Sequence, residues 1–284
     1  MSDPTERRFP SPFPPVFVRQ HFNTNLRHRS KVDSVHILSN AAHAACSRSS
    51  RTMNELIGRV VSFEKKVFPD QHALYSTLAH HGQFPKALMI SCADSRIVPE
   101  HIMQAQPGDL FVCRNAGNIV PPFSAHTGGV SATVEYAVAV LGVRDIIVCG
   151  HSDCGAMKGL SGDPAALAAV PTVANWLKHG AAARQVVDQS YPELTDGERI
   201  RALSLENIVS QLQHLRTHPS VAAGIAQGNI TLHGWFVDIH EGIVLGLDGD
   251  TGRFVAIREG EAFPVAQAAA PRQASDVPFL QAAE

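Results

Sequence analysis

The 284-residue chain has no uninterrupted apolar run near the ~18–20 residues that span a bilayer, and no N-terminal apolar segment of signal-peptide form. The sequence thus offers no membrane partner. It also lacks a charge excess: 24 Lys and Arg against 26 Asp and Glu leave a formal −2, with no basic field for nucleic acid or anionic lipid. Cysteines are few and odd in number, five in all, too sparse for a disulfide framework. A reducing compartment follows, most simply the cytoplasm. No internal repeat is visible. The chain does have 44% hydrophobic and 18% charged residues, the balance of a globular enzyme long enough for a large core.

Residues 1–52 differ from the rest. Pro4, Pro10, Pro12, Pro14 and Pro15 precede an Arg/Ser/His/Asn-rich run of net charge +5. Such a composition reads as a disordered extension. An organellar transit peptide is the sharper alternative, opposed by Asp3, Glu6 and the early prolines. Residues 53–261 form the patterned domain, and residues 262–284, rich in Ala, Pro and Gln, read as a mobile tail.

Within the domain, Leu56, Ile57, Val60, Val61 and Val67 line one face of a helix over 53–68, and a second helix is expected at about 71–80. Short apolar runs ended by polar turns at 87–91, 110–114, 145–149 and 230–236 read as buried parallel strands. Helices are expected between them, at about 99–105, from Gly128 onward, and at about 172–179, 181–189, 196–217 and 219–227. In the long one, Leu205, Ile208, Val209, Leu212 and Leu215 make the stripe. Residues 242–247 and 253–257 read as an antiparallel edge hairpin. The expected fold is therefore α/β: a mostly parallel sheet of about four strands flanked by helices, with an edge hairpin and an N-terminal helical arm.

Two stretches carry chemistry: Ile90-Ser-Cys-Ala-Asp-Ser-Arg96 and Cys149-Gly-His-Ser-Asp-Cys-Gly155. Each follows a strand, at the edge where open α/β sheets bind ligands. If those strands are neighbours, Cys92, His151 and Cys154 converge. A lone Cys at a strand end is ordinarily a core residue. Two thiolates and an imidazole at one sheet edge are instead a zinc set with a fourth position open. Asp94 and Arg96 alternate with Cys92 and can face the same side. Arg96 would keep Asp94 ionised. Asp94 would then either accept a hydrogen bond from a zinc-held water or itself become the fourth ligand and close the site. Zinc brings bound water to a pKa near ~7, a figure taken from carbonic anhydrase in its three-histidine form. Two thiolates donate more charge than imidazoles and should raise it.

The motifs Cys92-Ala-Asp-Ser-Arg96 and His151-Ser-Asp-Cys-Gly155 resemble those of the beta-class carbonic anhydrases. So do Asp109-Leu-Phe-Val-Cys-Arg-Asn-Ala-Gly-Asn118, Gly128-Gly-Val-Ser-Ala-Thr-Val-Glu-Tyr136 and Leu232-His-Gly-Trp235. The resemblance extends over about 53–257 and is nearest the plant-like type, including bacterial enzymes of cyanate-utilisation operons. It implies Zn²⁺ on Cys92, His151 and Cys154, an Asp94–Arg96 dyad, and reversible hydration of CO₂ to bicarbonate and a proton by zinc-bound hydroxide. It implies a homodimer that exchanges N-terminal helices, with tetramers or octamers built from it. It also offers Gln83, Phe111 and Tyr136 as substrate-pocket residues, in a pocket at the dimer interface. Without it, Gln83 reads as a loop residue, and Phe111 and Tyr136 as core aromatics. Hydrolysis of CS₂ or COS on the same scaffold stays open, as does a non-catalytic zinc sensor. An intact Asp94–Arg96 pair speaks against the latter. His126, His179, His214, His233 and His240 show no metal spacing, Cys113 and Cys149 read as core, and Cys46 lies in the extension.

Overall fold

A computed structural model describes residues 52–124 and 128–259. The expectations for residues 1–51, His126 and residues 260–284 lie outside that range. The chain divides into two units after Pro69. In the first, residues 52–62 are helical (α1) and Phe63–Val67 form a π-turn. Met53, Leu56, Ile57, Val60, Val61 and Val67 are all exposed on this chain. The expected apolar stripe exists, but nothing in the first unit buries it.

The backbone continues as α2 (Phe68–His81), where a break had been expected. Pro69 has no N–H to give an α-helical bond and would crowd the carbonyl four residues back. The π-turn absorbs this: Phe68 N–H reaches back five residues to Phe63 O, and the helix passes the proline intact.

The second unit is built on six strands, with helices α3 (Pro99–Ile102), α4 (Gly129–Glu135), α5 (Gly155–Ser161), α6 (Pro171–Leu177), α7 (Ala181–Ser190), α8 (Asp196–Leu215) and α9 (Pro219–Ala226) between the parallel ones. The strands are β1 (Ala87–Cys92), β2 (Leu110–Asn115), β3 (Asp145–His151), β4 (Thr231–Asp238), β5 (Ile243–Leu247) and β6 (Phe254–Ala256), in the order β2-β1-β3-β4-β5-β6. The first four are mutually parallel, and β5 and β6 add the antiparallel edge. Every residue of β1 is buried, as a central parallel strand covered on both faces requires. From β1 the chain moves outward to β2, then returns across β1 to β3. The winding reverses between β1 and β3, and a crevice opens at their carboxyl ends.

Alternate residues of the strands feed two cores. Leu88, Ile90, Ile146, Val148 and Phe236 pack on one side against α8 (Asp196–Leu215) and α4 (Gly129–Glu135). Ala87, Met89, Ile147, Cys149 and Val237 pack on the other with Ile97. The α4 segment also leaves the α-helix, for a π-turn over Tyr136–Val140, where one unbroken helix had been expected. Helix α8 begins at a capping arrangement legible as Thr-x-x-Glu: Thr195 N and Oγ1 both donate to Glu198 Oε2, at 3.0 and 2.7 Å. It lies so close to the sheet that a Cβ on Gly150 or Gly234 would come within 2.9 Å of Ile208.

Arg201 of α8 is ion-paired with the buried Asp238 at the end of β4, and its guanidinium lies 4.8 Å from the Phe236 ring. Burial pushes the Asp238 carboxyl up. Arg201 and the Glu241 and His240 amides pull it down further, so it ends below its ordinary range. A depressed folded value means stability that is present above the unfolded value of about 3.9 and lost as pH falls through the folded one. Arg201→Met should cost about 1–2 kcal/mol at neutral pH. It should also shrink that acid-side loss, because only the Glu241 and His240 amides then oppose burial at Asp238. Urea midpoints at neutral and acid pH check this, and parallel slopes for both proteins would contradict it.

Candidate metal centre

Cys92 is the last residue of β1 and His151 the last of β3. The register sets Ser91 beside Cys149, so Cys92 and His151 end adjacent strands at the switch-point edge. Past His151 the chain reverses through Ser152 and Asp153. Asp153 sits at φ +58, a left-handed conformation that Asp tolerates better than most residues. That turn delivers Cys154 to the N-cap of α5 (Gly155–Ser161), back beside Cys92.

The three side chains are buried, and their donor atoms lie within 4.8 Å of one another. The two sulfurs are 3.9 Å apart. Tetrahedral zinc with Zn–S of ~2.3 Å would set them about 3.8 Å apart. His151 Nδ1 donates to Ser152 O at 2.8 Å, which leaves the lone pair on Nε2. Nε2 is buried without a hydrogen-bond partner. A buried imidazole acceptor left unbonded costs free energy unless something electrophilic meets it. The donor set therefore fits a thiophilic divalent ion such as zinc better than magnesium or calcium, which want oxygen.

The sulfurs carry their own electrostatics. The hydrogen bond from the Cys154 thiol holds Cys92 well below the ordinary thiol range, against burial. Cys154, facing that sulfur, is pushed up. Gly117 N–H also points at the Cys92 sulfur, at 3.4 Å.

Asp94 faces the same cluster, with Oδ2 3.9 Å from His151 Nε2. Both its oxygens are taken by Arg96: Nε to Oδ1 at 3.0 Å, Nη2 to Oδ2 at 2.8 Å, and the Arg96 backbone N–H to Oδ1 at 2.9 Å. The Arg96 side chain, then its backbone N–H, holds the carboxyl far below the usual carboxylate range. The pair is a bidentate fork, the geometry for which Arg is not replaceable by Lys.

Sequence reasoning missed the supports of this pair. Arg96 Nη1 also reaches Asp153 Oδ2 at 3.0 Å and Nη2 reaches Asp153 O at 3.2 Å, so one guanidinium ties the two ligand loops together. Lys158 pairs with Asp153 from α5. From β2, Arg114 donates to the carbonyls of Cys92 and Asp94, at 3.1 and 2.7 Å. Arg114 and Asp153 stood inside the recognised motifs. Only the fold shows what they grip.

The structure thus brings Cys92, His151, Cys154, Asp94 and Arg96 together. It does not bring Gln83, Phe111 and Tyr136 to them within one chain. Phe111 is level with Leu88, four residues before Cys92 and so ~13 Å back along the strand. Its ring stacks on Tyr136 at 5.9 Å, Tyr136 is exposed, and Gln83 is exposed in the loop before β1. Of the histidines without metal spacing, the four that are described have other company: His179 against the Trp176 ring, His214 on Val120 O, His233 on Asp145, His240 on Glu241. Cys149 is buried in the sheet, with its thiol pushed up by that burial, and Cys113 packs partly buried against the core.

Known proteins agree with this architecture. A family model described as carbonic anhydrase matches residues 87–244. A carbonic anhydrase of Pseudomonas aeruginosa is 49% identical over 207 residues, covering 73% of this chain and 93% of the relative. The solved beta-carbonic anhydrase CcaA superposes with a TM-score of 0.72 at 42% identity, over 75% of this chain and 96% of that one. One of two tetrameric beta-carbonic anhydrases from Sordaria macrospora superposes with a TM-score of 0.55 at 30% identity, over 73% and 97%. A sheet that reverses between β1 and β3, with two sulfurs and an imidazole at that reversal and these relatives, places the chain in the carbonic anhydrase family, in its beta class.

Proposed function

We propose that this chain catalyses the reversible hydration of CO₂ to bicarbonate and a proton, with zinc held by Cys92, His151 and Cys154. The observation that carries this is the unbonded Nε2 of His151, buried and facing two sulfurs 3.9 Å apart. Zinc at such a site supplies hydroxide from water near neutral pH. The protein's own part is orientation and charge. Asp94, kept ionised by Arg96, would accept a hydrogen bond on the open side of the cluster and so orient the donor beside the substrate. Arg96 holds that carboxylate and the Asp153 loop in one frame. The cluster's low exposure keeps competing water away from an apolar substrate.

The catalytic unit in this reading is 53–261, acting in the cytoplasm as a homodimer in which α1 is exchanged between subunits. The exposed stripe of Leu56, Ile57, Val60 and Val61 is the surface such an exchange would cover. Dimers would pair further into tetramers, as in the Sordaria relatives. Gln83, Phe111 and Tyr136 would then line the partner's cleft, which accounts for their distance from the cluster in their own chain. Among the described residues no helix is long and apolar enough to cross a membrane.

Zinc content measured with CO₂ hydration between about pH 6.5 and 9 tests the activity. The expected result is one zinc per chain and a rate that rises with pH. Zinc-replete protein without hydration activity would leave the centre a structural one. A mixing experiment tests the shared pocket. Tyr136→Ala chains keep their ligands, and Cys92→Ser chains keep their tyrosine. A mixed dimer of the two regains one complete site, so its activity should exceed the mean of the two parents. Activity at that mean would place Tyr136 outside the partner's cleft.

A further inference from the structure

Helix α8 carries two amides where its stripe faces the core. Asn207 and Gln211, one turn apart, are both fully buried. Buried amides are costly unless each donor and acceptor is used. Here they are spent on the loop that follows β2. Asn207 Nδ2 donates to Gly117 O at 2.9 Å, and Asn207 Oδ1 accepts from Gln211 Nε2 at 2.9 Å. Gln211 Oε1 accepts from Val120 N at 2.8 Å, and its Nε2 also reaches His179 O at 3.3 Å. The Asn115 side chain closes the loop on itself by accepting from Ile119 N and donating to Ile119 O, at 2.8 and 2.9 Å.

The residue gripped at its carbonyl by Asn207 is the residue whose N–H meets the Cys92 sulfur. Gly117 stands at φ +83, and a Cβ there would come within 2.9 Å of the Ala156 Cβ. The position admits only glycine, and that glycine's freedom has to be removed from outside. Asn207 removes it.

We propose that Asn207 is a positioning residue of the metal centre: by anchoring Gly117 O it keeps the Gly117 N–H on the Cys92 sulfur, and so limits the charge that this thiolate gives to a bound metal. The inference rests on Cys92 being a ligand, as proposed above. It answers a difficulty of the ligand set, in which two thiolates make a softer and less acidifying centre than imidazoles. A sulfur that shares a lone pair with an amide donates less, and the metal stays electrophilic.

The test compares full-length wild type, Asn207→Leu and Gln211→Met, each loaded with cobalt in place of zinc. Leucine keeps the branched shape of Asn207, in a somewhat larger volume, and removes its bonds. Methionine at 211 leaves the Asn207 donor but strips its anchor, and carries the same comparison should Asn207→Leu not fold. Leu215→Ala, a core truncation on the same helix, is the control for general loosening. In Asn207→Leu the sulfur-to-cobalt charge-transfer band should move to lower energy. Zinc affinity by chelator competition should fall about tenfold. The pH midpoint of kcat/KM should move upward. Gln211→Met should show smaller shifts in the same sense, and Leu215→Ala none. A wild-type spectrum without a thiolate band would remove Cys92 from the ligand set and the inference with it. A wild-type band that neither Asn207→Leu nor Gln211→Met displaces, or that Leu215→Ala displaces equally, would overturn the positioning role and leave the ligand set standing.

Discussion

Cys92→Ser should purify with almost no zinc and lose CO₂ hydration by at least about a thousandfold, because the hydroxide supply depends on the metal. The substitution is nearly isosteric, so the backbone of β1 and the bonds of Arg114 to the Cys92 carbonyl survive it. What disappears is an anion. A serine hydroxyl does not ionise at neutral pH, and Cys154 and His151 alone would leave a metal two of its three protein ligands. His151 Nε2 would again face no electrophile in a buried pocket. Zinc analysis and stopped-flow hydration on the same preparation check both halves. Zinc at one per chain with hydration intact would end the proposed chemistry. A far-ultraviolet spectrum like that of wild type would exclude unfolding as the cause.

Asp94→Asn separates orientation from metal binding. Its zinc content should stay at one per chain, while kcat/KM falls about a hundredfold to a thousandfold, the range of positioned proton-transfer groups. The asparagine has one oxygen for Arg96 where the carboxylate offers two, and its amide nitrogen would face the guanidinium. Arg96→Lys should fall between wild type and Asp94→Asn. A lysine keeps the charge but cannot hold Asp94 with a fork and reach the Asp153 loop at once. A zinc-replete Asp94→Asn protein with unchanged kcat/KM would show the dyad to be only a structural ion pair.

The parts of this centre legible in the sequence were those that obey short-range rules. β1 and β3 stand out because a strand buried on both faces is an unbroken apolar run, and the ligand motifs follow those runs directly. The α8 stripe was legible because Leu205, Ile208, Leu212 and Leu215 repeat at helical spacing, and all four are buried. Asn207 and Gln211 sit inside that stripe as apparent interruptions. Their partners, Gly117 O and Val120 N, are 90 and 91 residues away, beyond any periodicity. The two π-turns were hidden for a similar reason. One answers a proline's missing donor and the other ends α4, and neither changes the apolar pattern. The stripe on α1 was legible as apolar, but periodicity gives a face and never its partner, and on this chain that face is exposed.

X-ray absorption at the zinc edge of the purified protein tests the central claim most directly. Two sulfur scatterers at ~2.3 Å and one or two nitrogen or oxygen scatterers at ~2.0–2.1 Å are expected, in a four-coordinate shell. A shell of oxygen and nitrogen alone, or one with a single sulfur, would contradict it.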